Sequence, residues 1–246
     1  MGLTNNLIFT QSRQEQIVRC IFVLDILNGA VVHAVRGERN LYEPIAGYSK
    51  IVSSSGPLDI LHELRPQEVY IADLNLLTGN GENLAIIKEI SGMAKTMADT
   101  GISKATDLDR LPASVCPILG TETAPFKLME ELAPLRKILV SLDMKNRKIL
   151  ARDALLAAET PLQVLNKLNR LPLEGVILLE LNRVGTSSGP DMAFLEKAMD
   201  ISKHPLILGG GVKDEDDLRA LDEIGFSGAM VATAVHNGCV PVEWIQ

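Results

Sequence analysis

A chain of 246 residues, 46% hydrophobic and 22% charged, has ordinary globular composition, and its length suits one α/β barrel whose core needs no disulfide. A formal net charge of −7 with scattered basic residues argues against nucleic acid, which leaves a basic footprint, while a local basic pocket for a small anion stays open. No apolar stretch reaches the roughly 18 residues of a membrane span, and the N-terminus lacks the basic-then-apolar order of a signal peptide, so no membrane partner and a cytoplasmic location are expected.

In chain order, the first strand is expected at 20–26 (CIFVLDI). A turn at Asn28-Gly29, a second apolar run (VVHAV) and a polar loop with Arg36, Arg39 and Tyr42 follow. The apolar spacing then predicts helix 57–65, strand 68–74, helix 82–91, strand 95–98, helix 104–111, strand 115–119 and helix 124–132. The second half continues with strand 137–143, helix 160–171, strand 175–181, helix 191–199, strand 205–209, helix 214–224 and strand 228–232. The strands are short, apolar on both faces and rich in Ile, Val and Leu, as parallel strands covered on both sides must be. Each helix repeats apolar residues three and four apart. Pro57, Pro161 and Pro190 mark first helical turns, and Gly225 follows a helix end. Eight strands alternating with helices imply a single (β/α)8 TIM barrel over 1–246, of class α/β. An open dinucleotide-binding sheet would want G-x-G-x-x-G after the first strand, and none stands there.

The two halves repeat each other. Asp25 aligns with Asp143, Gly81 with Gly189, Gly101 with Gly211, and Thr121 with Thr233, at offsets of 118, 108, 110 and 112. Order is kept and loops absorb the drift, so two half-barrels are expected at about 20–134 and 135–246.

Barrel chemistry sits at the C-terminal ends of the strands. Those ends read Asp25, Asp73, Asp99, Gly120-Thr121, Asp143, Glu180, Gly209–Gly211 and Ala232-Thr233. By symmetry Asp25 and Asp143 face each other, which suits general acid and base work if their environments differ. The run LILGGGVKDEDDL (206–218) lets backbone N–H groups approach a phosphate, with a helix N-terminus behind it. Its partner loop is MVATAVHNG (230–238). In NRVGTSSGP (182–190), Thr186 and Ser187 offer hydroxyls and Gly189 starts the next helix. His33 lies just past Asp25, where a structural imidazole and a substrate contact are both open; His236 stands at the rim of the phosphate loop, and His62 and His204 read as surface. Cys20, Cys116 and Cys239 are far apart. They read as reduced cysteines in or near the core, and no spacing makes a metal site.

These residues carry a resemblance. The strand ending in Asp25 with NGAVVHAV, then Asp143, VGTSSGP, LGGGVKDEDDLRAL and MVATAV, resembles the HisA/HisF barrel family of histidine biosynthesis in order, over nearly the whole chain after about residue 19. The half-barrel repeat is that family's hallmark, and the chain is more similar to HisA, a sugar-phosphate isomerase that opens a ribose by an Amadori rearrangement. The resemblance implies Asp25 as general base, Asp143 as general acid and Thr186 assisting at the sugar. It implies a phosphate on Gly209, Gly210, Gly211, Ala232 and Thr233, a small phosphorylated substrate, and no metal or organic cofactor.

Two departures qualify this. The family binds two phosphates, one per half. Here the N-terminal site reads MADTGISKATD, with Asp99 and Thr100 in place of glycines and Glu122 where the other half has Ala234. A carboxylate about 4 Å from a phosphate costs on the order of 1–4 kcal/mol per charge, so that site is expected to be lost or converted. The loop GERNLYEPI (37–45) looks like that of divergent HisA-like proteins of methanogens and methylotrophs associated with methanopterin biosynthesis. Arg36, Arg39, Tyr42, His33, Asp73, Asp99, Ser187 and Gly189 are then expected to meet the substrate. The genuine histidine-pathway isomerase and a non-catalytic barrel that binds a phosphorylated metabolite remain as alternatives.

Overall fold

An apolar run that is hydrophobic on both sides is stable only between two packed layers, and that is where these runs lie. The computed structural model describes residues 18–246. Its barrel strands are β1 (Arg19–Leu27), β2 (Glu68–Asp73), β3 (Lys95–Asp99), β4 (Val115–Gly120), β5 (Leu139–Lys145), β6 (Gly175–Glu180), β7 (Leu206–Gly209) and β8 (Gly228–Val231). Each pairs in parallel with the next, and β8 returns to β1 in the register Arg19↔Gly228 to Phe22↔Val231, closing the sheet. Closure removes the edges that an open sheet must protect. Arg19 spans the seam: its Nε donates to Ser227 O at 2.8 Å and its guanidinium pairs with Glu68 at 3.0 Å.

Alternation along each strand sorts two cores. One inward residue per strand, Ile21, Tyr70, Met97, Ile118, Leu139, Ile177, Ile207 and Met230, fills the barrel. The outward residues pack under the helices. Those helices include Pro57–Leu64 and Pro161–Leu168, each opening on a proline, and Thr160 and Gln163 close a capping box on the latter.

The structure departs from the expected elements in several places. Residues 104–111 form a six-residue 3-10 turn, Ala105–Arg110, rather than an α-helix, because Asp107 takes the N–H groups of Ser103 and Lys104. Pro190 lies outside its helix, which starts at Met192 behind an Asp191 cap. Short helices at Leu74–Thr78 and Thr233–His236, and a hairpin pairing Lys148–Ile149 with β5, are additional. Of the cysteines only Cys20 is buried; Cys116 is half-buried and Cys239 exposed. His204 is half-buried, its Nε2 3.1 Å from Leu168 O. No helix among the described residues is long and apolar enough to cross a membrane. The expectation about a leader lies outside those residues.

Candidate active site

Strands β1 and β5 lie four places apart in the ring of eight, so Asp25 and Asp143 approach the barrel mouth from opposite walls. Neither acid ends its strand; both strands run two residues further, to Leu27 and Lys145. A third carboxylate, Asp99, closes β3. Gly120 lets it come near: a Cβ there would lie 2.8 Å from Asp143 Oδ2 and 3.5 Å from Asp99 Oδ2. Any side chain at that position would wedge the two acids apart. Asp143 accepts from Ser141 Oγ at 2.6 Å and from Glu122 N–H at 3.1 Å.

Burial pushes Asp25 up to about 7, and Arg39 opposes it. Burial also pushes Asp143 up to about 7, and there the neighbouring Asp99 charge adds to the rise. Asp99 is raised to about 6 by burial, against the Gly101 N–H bond. The two opposed acids therefore titrate in one range, but their neighbours pull in opposite directions. A cation next to Asp25 favours its ionised form. An anion next to Asp143 favours its protonated form. Tyr70, among all three carboxylates on the barrel floor, has its phenol pushed well above its usual range by burial and then by their charges.

The mouth is roofed by a hairpin. Asn28 and Gly29 turn the chain with φ of +51° and +79°, and their N–H groups go to Asn75 and Asn83 side chains. Strand Ala30–His33 then pairs with Glu43–Pro44, leaving 34–42 as a loop across the opening. Arg36 N–H donates to Val184 O at 3.0 Å. Gly185 admits this contact, because a Cβ there would sit 2.3 Å from Ala34 O. Arg39 points back to Glu122 at 3.7 Å. Tyr42 is pushed up to about 12 by burial and then by Asp25.

On the other side stand the glycines. Gly210 and Gly211 have φ of +87° and +96°. Cβ atoms there would meet Val184 Cγ2 at 3.0 Å and Gly189 O at 3.1 Å, so only glycine fits this bend. The helix behind, Glu215–Glu223, does not lend its N-terminus. Asp214 caps it, three acids fill its first turn, and Asp217 accepts Lys213 N–H at 2.8 Å. An anion seated here would have to rely on the glycine backbone.

One cavity of about 270 Å³ collects Asp25, Asp99, Asp143, His33, Arg36, Arg39, Tyr42, Ser187, Gly210, Gly211, Ala232 and Thr233. Four other predicted residues stand outside it. Asp73 is fully buried and spends its carboxylate on the N–H groups of Asn75, Leu76 and Asn83. Thr186 turns its hydroxyl to Arg183 O at 2.8 Å. Gly189 donates its N–H to Gly211 O, and Gly209 packs on Leu179. The cavity also holds Glu122 and His236, expected only at the edges of the two phosphate loops, and two residues the sequence reading did not assign to the site, Tyr70 and Lys145. Period-two alternation from Asp143 points to Lys145, and from Ala72 to Tyr70. Among the described residues, no group of three His, Cys, Asp or Glu side chains is placed to hold a metal ion.

Residues 19–241 match the family described as histidine biosynthesis protein. An uncharacterized protein of Methanocaldococcus jannaschii is 32% identical over 93% of this chain and 97% of its own length. The 1-(5-phosphoribosyl)-5-((5-phosphoribosylamino)methylideneamino) imidazole-4-carboxamide isomerase of Deinococcus radiodurans is 30% identical over 70% of this chain and 76% of its own. The isomerase of the same name from Methanosphaera stadtmanae is 24% identical over 89% and 94%.

Proposed function

The chain belongs to the histidine biosynthesis protein family, and from that premise we infer that it is an acid–base isomerase, or a related enzyme, of a phosphoribosyl-type compound carrying one phosphate. The observation that carries this reading is the opposite electrostatic setting of the two opposed acids. Arg39 beside Asp25 suits a base, and Asp99 beside Asp143 suits an acid. In a ring-opening isomerisation the acid gives its proton to the ring oxygen as the C1–O bond breaks. The nitrogen lone pair forms C1=N as that bond breaks. The base takes the proton from C2 to give the C1=C2 enaminol, and the C2 hydroxyl then loses its proton as C1 gains one, leaving a C2 ketone and a C1 amine. Tyr70 and Tyr42 are phenols kept protonated near these acids, able to donate to sugar hydroxyls.

The name of the isomerase relatives carries two phosphoribosyl groups, and this cavity is poorly suited to two phosphates. It presents four carboxylates, Asp25, Asp99, Glu122 and Asp143, against three cations, Arg36, Arg39 and Lys145. Glu122 is already paired with Arg39. The N-terminal half is therefore read as a place for a hydroxyl or an amine, with the phosphate on Gly210, Gly211, Ala232 and Thr233. Thr186 serves the loop rather than the sugar. A methanogen relative of uncharacterized function is in keeping with a divergent, methanogen-type member of the family.

The test is a panel of singly phosphorylated N-substituted ribosylamines, read by formation of the ketose product. Wild type should turn over a member of the panel, and Asp143→Asn should lower turnover by about 10²–10⁴. Undiminished turnover in Asp143→Asn overturns the assignment. The second reading, the histidine-pathway isomerase itself, is favoured by the names of the relatives. Rescue of an auxotroph lacking that isomerase would establish it, and no rescue is expected.

A further inference from the structure

Three residues that line the cavity each carry a buried polar atom without a hydrogen-bond partner: His33 Nε2, Ser187 Oγ and His236 Nε2. Two of these residues stand near the glycine bend in the chain's topology, Ser187 in the loop after β6 and His236 in the loop after β8, and none of the cavity's four carboxylates comes from β6, β7, β8 or their loops. His236 is the most enclosed, at 1% exposure, on the same helical turn as Thr233.

The hydrogen-bond network fixes which proton His236 holds. Ser49 Oγ accepts the N–H groups of Ile51 and Val52, both at 3.1 Å. A hydroxyl oxygen has two lone pairs, and both are then occupied. Its own hydrogen is left for His236 Nδ1, 2.9 Å away. Nδ1 therefore accepts, and the neutral ring carries its hydrogen on Nε2. Burial, and secondarily His33, push the imidazole down to about 4, so the neutral ring is the form present. The result is an N–H donor of fixed tautomer, buried at the cavity wall without an acceptor. Leaving such a donor unmet is costly, and a ligand oxygen relieves the cost.

We propose that the Nε2–H of His236 donates to an oxygen of the phosphate seated on Gly210 and Gly211, making His236 a specificity-determining residue of this chain. This rests on the reading that the glycine bend takes a phosphate ester. It adds a side-chain donor to a cradle otherwise made of backbone.

Inorganic phosphate, titrated calorimetrically into the full chain, is the probe. His236→Phe should weaken binding about tenfold or more, as expected for a hydrogen bond to a charged acceptor. His236→Gln, whose amide can place an N–H near the former Nε2, should recover most of the loss. Nitrogen-15 spectra of the wild-type imidazole need no variant. They should show Nδ1 bare and Nε2 protonated, with the Nε2–H resonance moving on addition of phosphate. A proton on Nδ1, an unmoved Nε2–H, or wild-type affinity in His236→Phe overturns the proposal alone. Absence of phosphate binding by wild type overturns it together with the phosphate-cradle reading.

Discussion

Asp99 shows how one residue alters both stability and chemistry. The residue is 7% exposed and its carboxyl is raised to about 6. A carboxyl whose folded value lies above its unfolded one stabilises the fold while protonated, and that stability is lost as pH rises through the window from 3.8 to about 6. Asp99→Asn should therefore leave stability at pH 4 nearly unchanged and raise it at pH 8 by on the order of 1–3 kcal/mol. It should also lower the titration of Asp143, which loses a neighbouring charge. Denaturant unfolding at the two pH values, variant minus wild type, reads the first effect and cancels the opposite dependence of His236. Equal differences at pH 4 and pH 8 would contradict the account. Asp25, Asp99 and Asp143 were all legible as acids near the C-terminal ends of strands, although Asp25 and Asp143 lie two residues inside theirs; the close approach of Asp99 to Asp143 was not. That depends on Gly120 lacking a Cβ, a fact of three-dimensional neighbours rather than of spacing. Asp73 looked the same in the sequence and is instead a helix cap, because the five-residue helix after it needs its N–H groups met.

Among the elements, the hairpin over the mouth depends on one close contact. Gly185 lies against Ala34 O with φ of +73°, and a Cβ there would be 2.3 Å from that oxygen. Gly185→Ala should part the β6 loop from the 34–42 loop and cost about 1–3 kcal/mol from strain. Gly47→Ala, with nothing within 4 Å and no positive φ, is the control and should stay within about 0.5 kcal/mol. Thermal unfolding of the two variants compares them directly; equal melting temperatures would remove the hairpin contact from the account. The barrel strands were readable almost to the residue, for instance 68–74 expected against Glu68–Asp73 found, because burial on both faces writes a continuous apolar run. The roofing hairpin was not. Its second strand, Glu43–Pro44, is two exposed residues with no pattern to read.

At the scale of the whole molecule, a closed ring of eight strands sets Asp25 opposite Asp143 and draws all four cavity carboxylates from β1 to β5 and their loops, with Gly210, Gly211 and Thr233 supplied by β7, β8 and their loops. We read the chain as two half-barrels, about 20–134 and 135–246, whose anion sites have diverged. In the sequence, Asp99 and Glu122 stand against Gly209 and Ala234. The sequence does not show that Arg39 reaches Glu122 from a loop more than eighty residues earlier, since only the folded hairpin brings them to 3.7 Å. The most direct test of the one-phosphate account is a crystal of the protein soaked in inorganic phosphate. The account predicts one anion, on Gly210 and Gly211, and none over Thr100 and Gly101. A second anion at Thr100 and Gly101, or an empty glycine bend, would contradict it.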